Sequence, residues 1–127
     1  MELHALQQHI SAVRGFKAEL VAISPQVRAK NAEVKEKQRL DYPVLADQDN
    51  SYARTLGIVH WLPEDLQAVY AGFGIVLPEA NGTEAWELPL PTRMVVDGSG
   101  VIRSVHADPD YTQRPEPEDT LEVLRSL

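Results

Sequence analysis

Cysteine is absent from all 127 residues of the chain. Disulfide bonds are thereby excluded, although this absence does not by itself decide the compartment. A basic excess is missing too. The formal net charge is −7, whereas a nucleic-acid footprint needs a concentrated basic face, so no nucleic-acid partner is expected. No segment approaches the ~18 consecutive apolar residues of a membrane span, and no membrane partner is expected. The first ten residues, MELHALQQHI, carry no basic region followed by an apolar core. No secretory signal is therefore visible, and a cytoplasmic location is the expectation. Internal repeats and low-complexity segments are also lacking.

What is present fits one domain over residues 1–127, with hydrophobic residues at 43% and charged residues at 24%, ordinary proportions for a globular protein. Leu3, Leu6, Ile10 and Val13 fall at helical spacing, with Gly15 as a stop. Residues 19–24 form a short apolar run suited to a buried strand. Ser24 is placed to cap a second helix with Pro25 at its first position. A basic run on and after that helix, Arg28, Lys30, Lys35, Lys37 and Arg39, is interleaved with Glu33 and Glu36, the alternating pattern of a solvated face. Residues 42–47 predict a short extended piece. A brief helix follows over Tyr52, Ala53 and Leu56 and ends at Gly57.

Residues 58–90 have no regular pattern beyond one helix after Pro63, carrying Leu66, Val69, Tyr70 and Phe73. Two β-rich runs, Met94–Val96 and Val101–Val105, flank Gly98-Ser99-Gly100 and predict a hairpin. Glu116-Pro117 opens a last helix with Leu121, Leu124 and Leu127.

Few residues have a pattern that points to chemistry. His4 and His9 are five apart and do not form a same-face metal pair, while His60 and His106 have no ligand run beside them. A zinc site needs about four placed ligands, so no metal and no cofactor is expected. Asp108, Asp110, Glu116, Glu118 and Asp119 cluster at the final helix, where carboxylates favour the N-terminus. His60-Trp61-Leu62-Pro63 and Trp86 fit either a small-molecule groove or a core. The serines lack a nucleophile-elbow context.

Several phrases together resemble the peroxiredoxin-like branch of the alkyl hydroperoxide reductase and thiol-specific antioxidant family. They are Ala22-Ile23-Ser24-Pro25-Gln26, Tyr42-Pro43-Val44-Leu45-Ala46-Asp47, Ala53-Arg54-Thr55-Leu56-Gly57, Asn81-Gly82 through Trp86-Glu87-Leu88-Pro89, and Asp108-Pro109-Asp110-Tyr111-Thr112. Their order spans essentially the whole chain. The resemblance implies an α/β fold of thioredoxin-like type, a mixed central sheet with flanking helices.

It also implies a specific departure. In the relatives, the phrase matched here by Glu2-Leu3-His4-Ala5-Leu6-Gln7 follows a strand and a cysteine loop, and here Met1 directly precedes it. The expectation is a truncated domain missing its first core strand and the peroxidatic cysteine. No catalytic residue is then assigned. Pro91, Thr92 and Arg93 match the surroundings of the family's active site. Arg93 is open to two readings, a remnant of the thiolate's arginine or a charge leading into a strand. By resemblance Pro91 is expected to be cis.

Peroxide reduction in this family needs a thiolate, so the expected protein is catalytically silent on its own. The alternative is the C-terminal part of a thiol peroxidase whose cysteine lies upstream or on a partner chain. In the thioredoxin fold the missing strand lies between the strands expected at Leu20–Ile23 and Met94–Asp97. Its loss leaves two unpaired strand edges: either the two strands close up and pair directly, or a second chain covers them, and a homodimer is the expected assembly.

Overall fold

A computed structural model describes residues 2–82, 86–108 and 115–127. The chain divides into two compact units. One comprises Met1–Ala22, Gln38–Pro43 and Leu90–Leu127; the other comprises Ile23–Lys37 and Val44–Pro89.

The first unit begins with two short helices, α1 (Glu2–Gln7) and α2 (Ile10–Gly15), where the apolar spacing predicts one. The break falls at His9. Its N–H bonds Leu6 O at 3.0 Å, one residue short of the α-helical partner, and its backbone leaves helical geometry (φ −107°, ψ 6°). The apolar spacing still does its work, because Ile10 and Val13 are both buried.

The loop 38–43 is held to these helices by polar side chains. Gln7 donates from Nε2 to Asp41 Oδ2 (2.9 Å) and accepts from Asp41 N (2.7 Å), while Arg14 Nη2 donates to Asp41 O (3.1 Å). Tyr42, the one large side chain with 0% exposure among the described residues, donates its hydroxyl to Leu3 O at 2.7 Å. A buried phenol needs such a partner, since leaving it unpaired costs about 1–3 kcal/mol.

The predicted hairpin is the antiparallel pair β5 (Thr92–Val96) and β6 (Ile102–Ala107), the two strands that close the chain's β structure. Its register runs from Thr92↔Ala107 to Val96↔Ile102, with an irregularity between Val95 and Val96. Val95 of β5 and Leu40 are both buried. The final helix, α7 (Pro117–Arg125), starts with Pro at its first turn, and Asp119 Oδ2 accepts the Glu116 N–H at 3.0 Å. That is the use expected of carboxylates at this helix start. Asp110 of the same cluster lies outside the described residues.

In the second unit the helix α3 (Arg28–Lys37) keeps its charged residues exposed, as the alternating signs predict. Ser24 does not cap it. Its Oγ instead accepts the Gln26 N–H at 3.2 Å, a local turn that delays the helix to Arg28. Strand β1 (Ala22–Ser24) precedes this helix and β2 (Val44–Ala46) follows it. Ala22 N donates to Pro43 O (3.0 Å) and Asp47 N to Ser24 O (2.8 Å), so both strands advance in the same direction. This is a parallel β–α–β crossover.

Asp47 then caps α4 (Ser51–Leu56) with both carboxylate oxygens, Oδ1 to Tyr52 N (2.8 Å) and Oδ2 to Ala53 N (2.9 Å). Gly57 ends that helix at φ +73°, the left-handed position glycine tolerates best. The helix expected after Pro63 is α5 (Glu64–Gly72), with Phe73 just past its end; where the sequence shows no pattern, the structure adds β3 (Val59–Trp61), α6 (Leu77–Asn81) and β4 (Glu87–Pro89). Strands β3 and β4 pair antiparallel, His60 opposite Leu88. Gly82 closes α6 at φ +66°, and a Cβ there would sit 2.8 Å from Val27 Cγ1.

Strand directions are mixed, as expected, but among the described residues the strands form three two-stranded ladders and not one continuous sheet. Strands three to six residues long supply few ladder bonds. Neither β1 nor β5 has a second hydrogen-bonded neighbour strand among the described residues.

Candidate functional site

Two places deserve comparison as sites: the Pro91–Arg93 segment and a groove beside β3.

Pro91, Thr92 and Arg93 enter β5 in sequence. The Leu90–Pro91 peptide is trans, which corrects the expected cis bond. The physical preference of X–Pro bonds is itself trans by about 0.5–1 kcal/mol, and nothing local reverses it here. Thr92 Oγ1 turns back to donate to Leu90 O at 2.8 Å, so its hydroxyl is spent on the approach to the strand.

Arg93 sits opposite His106 in the hairpin. Its Nη1 donates to Pro115 O (2.7 Å), Glu116 O (3.3 Å) and Thr120 Oγ1 (3.3 Å). These are the residues leading into α7 and its first turn. The guanidinium therefore ties the last helix to β5, and a short cationic side chain would not span the same three acceptors. The three residues lie together, as the sequence places them, but Nη1 is directed at backbone and hydroxyl oxygens of the fold.

The second place is an open groove of about 370 Å³ lined by Arg54, Gly57, Val59, His60, Trp61 and Glu87. Strands β3 and β4 bring His60, Trp61 and Glu87 together, since Trp61 is the register partner of Glu87. Arg54 arrives from α4 and forms an ion pair with Glu87, with Asp49 Oδ1 a further 3.5 Å away from the guanidinium. The Glu87 carboxylate first, and then Asp49, hold the Arg54 guanidinium above its ordinary pKa, against the opposing effect of burial.

Of the segment His60–Pro63, His60 and Trp61 line the groove while Leu62 is buried. Trp86 is not part of the lining; its carbonyl accepts Leu62 N at 2.9 Å. Trp61 is 61% exposed and so is no core residue. Arg54 and Glu87 are the residues sequence reasoning missed. They are 33 positions apart, and no local pattern links them.

Chemically, the groove offers an imidazole, an indole face and a self-neutralised ion pair. It holds no nucleophile of thiolate strength. Among the described residues, no group of three or more His, Asp or Glu side chains is placed to hold a metal ion. No described helix is long and apolar enough to cross a membrane.

The sequence model of the AhpC/TSA family matches residues 1–105. No curated protein matches the chain. Among solved structures, the peroxidoxin BcpB from Mycobacterium tuberculosis is similar with a TM-score of 0.71 at 20% identity, over 99% of this chain and 68% of that one. AhpC from Enterococcus faecalis is similar with a TM-score of 0.66 at 19% identity, over 98% of this chain and 64% of that one. The chain thus spans about two thirds of the length of these neighbours. At such identities the likeness establishes the fold, the thioredoxin-like α/β architecture of peroxiredoxins.

Proposed function

The chain belongs to the AhpC/TSA family, and we propose that it is a member without peroxidase chemistry of its own, one thioredoxin-like domain that acts by association. The observation that carries this reading is the complete absence of cysteine. Peroxide reduction by a thiol requires a thiolate that attacks one peroxide oxygen, breaking the O–O bond to become a sulfenic acid while hydroxide or alkoxide leaves. A thioether such as Met94 is a weaker nucleophile and has no thiol beside it to resolve the product. Arg93, the family-matched cation, spends its Nη1 on the start of α7, which supports the reading of this residue as structural here.

The test is peroxide consumption coupled to thioredoxin or dithiothreitol. The chain is expected to match buffer, and turnover above background in a metal-free preparation overturns the proposal.

A second reading has the chain as the C-terminal part of a thiol peroxidase, completed by a cysteine-bearing segment upstream or on a partner. Its support is the coverage of about two thirds of the neighbours' length. An in-frame strand and cysteine loop in the DNA preceding Met1 would favour it, and a stop codon there would favour the silent member.

Association completes the proposal, with a homodimer as the assembly. Its support is that β1 and β5 each have one neighbour strand among the described residues, together with exposed apolar side chains on them and their partner strands, Ile23, Leu45, Val96, Ile102 and Val105. A cytoplasmic setting belongs to the same proposal, and cell fractionation checks it.

A further inference from the structure

His9 stands at the break between α1 and α2, and both of its ring nitrogens face acceptors. Nδ1 lies 2.9 Å from Ala5 O and Nε2 lies 3.1 Å from Glu118 Oε1 on α7. A carbonyl and a carboxylate can only accept, whereas a neutral imidazole has one N–H to give. The imidazolium alone satisfies both contacts at once.

The backbone makes the first of these contacts specific. Because the His9 N–H bonds Leu6 O, the ring takes the Ala5 carbonyl that an unbroken helix would offer to that N–H. The same proton-bearing ring therefore touches the break and the last helix. We propose that His9, as the imidazolium, is a proton-dependent clasp that fixes the α1–α2 break and pins the start of α7 through Glu118.

The charged groups on the packed elements do not compete for this role. Among the described side chains, Arg14 of α2 is engaged with Glu19 and Asp41 O. On α7, Asp119 caps the helix and Glu122 pairs with Arg125. His4, on α1, is exposed. Glu118 is left as the carboxylate that meets His9.

The electrostatics agree in direction on both partners. The His9 pKa is raised above 6.5, first by the Ala5 carbonyl, against burial, and then by Glu118. The Glu118 carboxyl is lowered below 4.5, first by its own backbone N–H, against burial, and then by His9. A histidine with a raised folded pKa contributes stability that is fully present below the ordinary imidazole value and lost as pH rises through the folded one. The clasp is therefore closed at mildly acidic pH and opens on the alkaline side of that value. Neutralising the ring forces it to give up one of its two acceptors.

The experiment is a proton titration of the full chain followed by two-dimensional NMR, reading the His9 ring C–H signals and the amides of residues 118–121 together. The His9 signal is assigned by its loss in His9→Gln. The expected result is a His9 midpoint above the ordinary imidazole value, with the α7 amides shifting at the same midpoint. In Glu118→Gln, a change at an exposed position, the midpoint falls and the α7 amides no longer follow it. A midpoint unchanged in Glu118→Gln would overturn the clasp. So would α7 amides that stay still through the His9 titration of the intact chain.

Discussion

Asp97 closes the turn of the β5–β6 hairpin almost single-handedly. Its Oδ1 accepts Ser99 N (2.9 Å) and Val101 N (3.0 Å), and its Oδ2 accepts from Arg103 Nε (2.7 Å). The carboxyl is held below its ordinary 3.8, first by the Val101 N–H and then by Arg103 and the Ser99 N–H, against burial. A carboxylate with a depressed folded pKa contributes stability that is present above the unfolded value and lost as pH falls through the folded one. Asp97→Asn is therefore expected to unfold at a lower denaturant concentration near neutral pH, with the difference from the parent shrinking in acid. Urea midpoints at several pH values check this, and a difference that does not change with pH would refute it. The glycine-flanked turn was legible in the sequence because Gly98-Ser99-Gly100 separates two β-rich runs. The role of Asp97 was not, since an aspartate before a glycine has the same local signature whether it binds the turn or faces water. Arg54 and Glu87 were illegible for a different reason: their pairing is tertiary and leaves no periodic trace.

Elements with a strong period or a special residue at an end were the ones the sequence revealed. The final helix announced itself by Glu116-Pro117 and its leucine spacing, α3 by its alternating charges, and α4 by its terminal Gly57. Strands β3 and β4 stayed hidden because three residues are too few to display alternation. The break at His9 stayed hidden because the apolar spacing continues across it. The expected cis Pro91 came from resemblance and not from the residues, and the trans bond shows local preference prevailing. At this scale Arg93 ties the start of α7 to β5 by hydrogen bonds. Arg93→Gln is expected to remove its span of Pro115 O, Glu116 O and Thr120 Oγ1 and to cost about 1–3 kcal/mol in urea unfolding. A loss confined to α7, read as faster amide exchange there than in the β5–β6 hairpin, would match the geometry. Equal loosening of both would contradict it.

For the whole molecule, exposed apolar surface is the feature that asks for an explanation. Phe73 is 79% exposed, and the ladder strands present further valines, leucine and isoleucines to solvent. Exposed apolar side chains on strands are commonly covered by a partner, and strand edges invite pairing with another chain. Light scattering after gel filtration is expected to give about twice 14.2 kDa. A concentration-independent mass at the single-chain value, with a folded circular dichroism spectrum, would exclude the homodimer. A single-turnover experiment tests the absence of thiol chemistry without depending on any electron donor. The chain is mixed with one equivalent of hydrogen peroxide, and residual peroxide and intact mass are followed over seconds to minutes. Peroxide decay identical to buffer and an unchanged mass are expected, because no thiolate is available to take the oxygen atom. Rapid loss of one equivalent of peroxide, with an oxygen atom added to the chain, would contradict it.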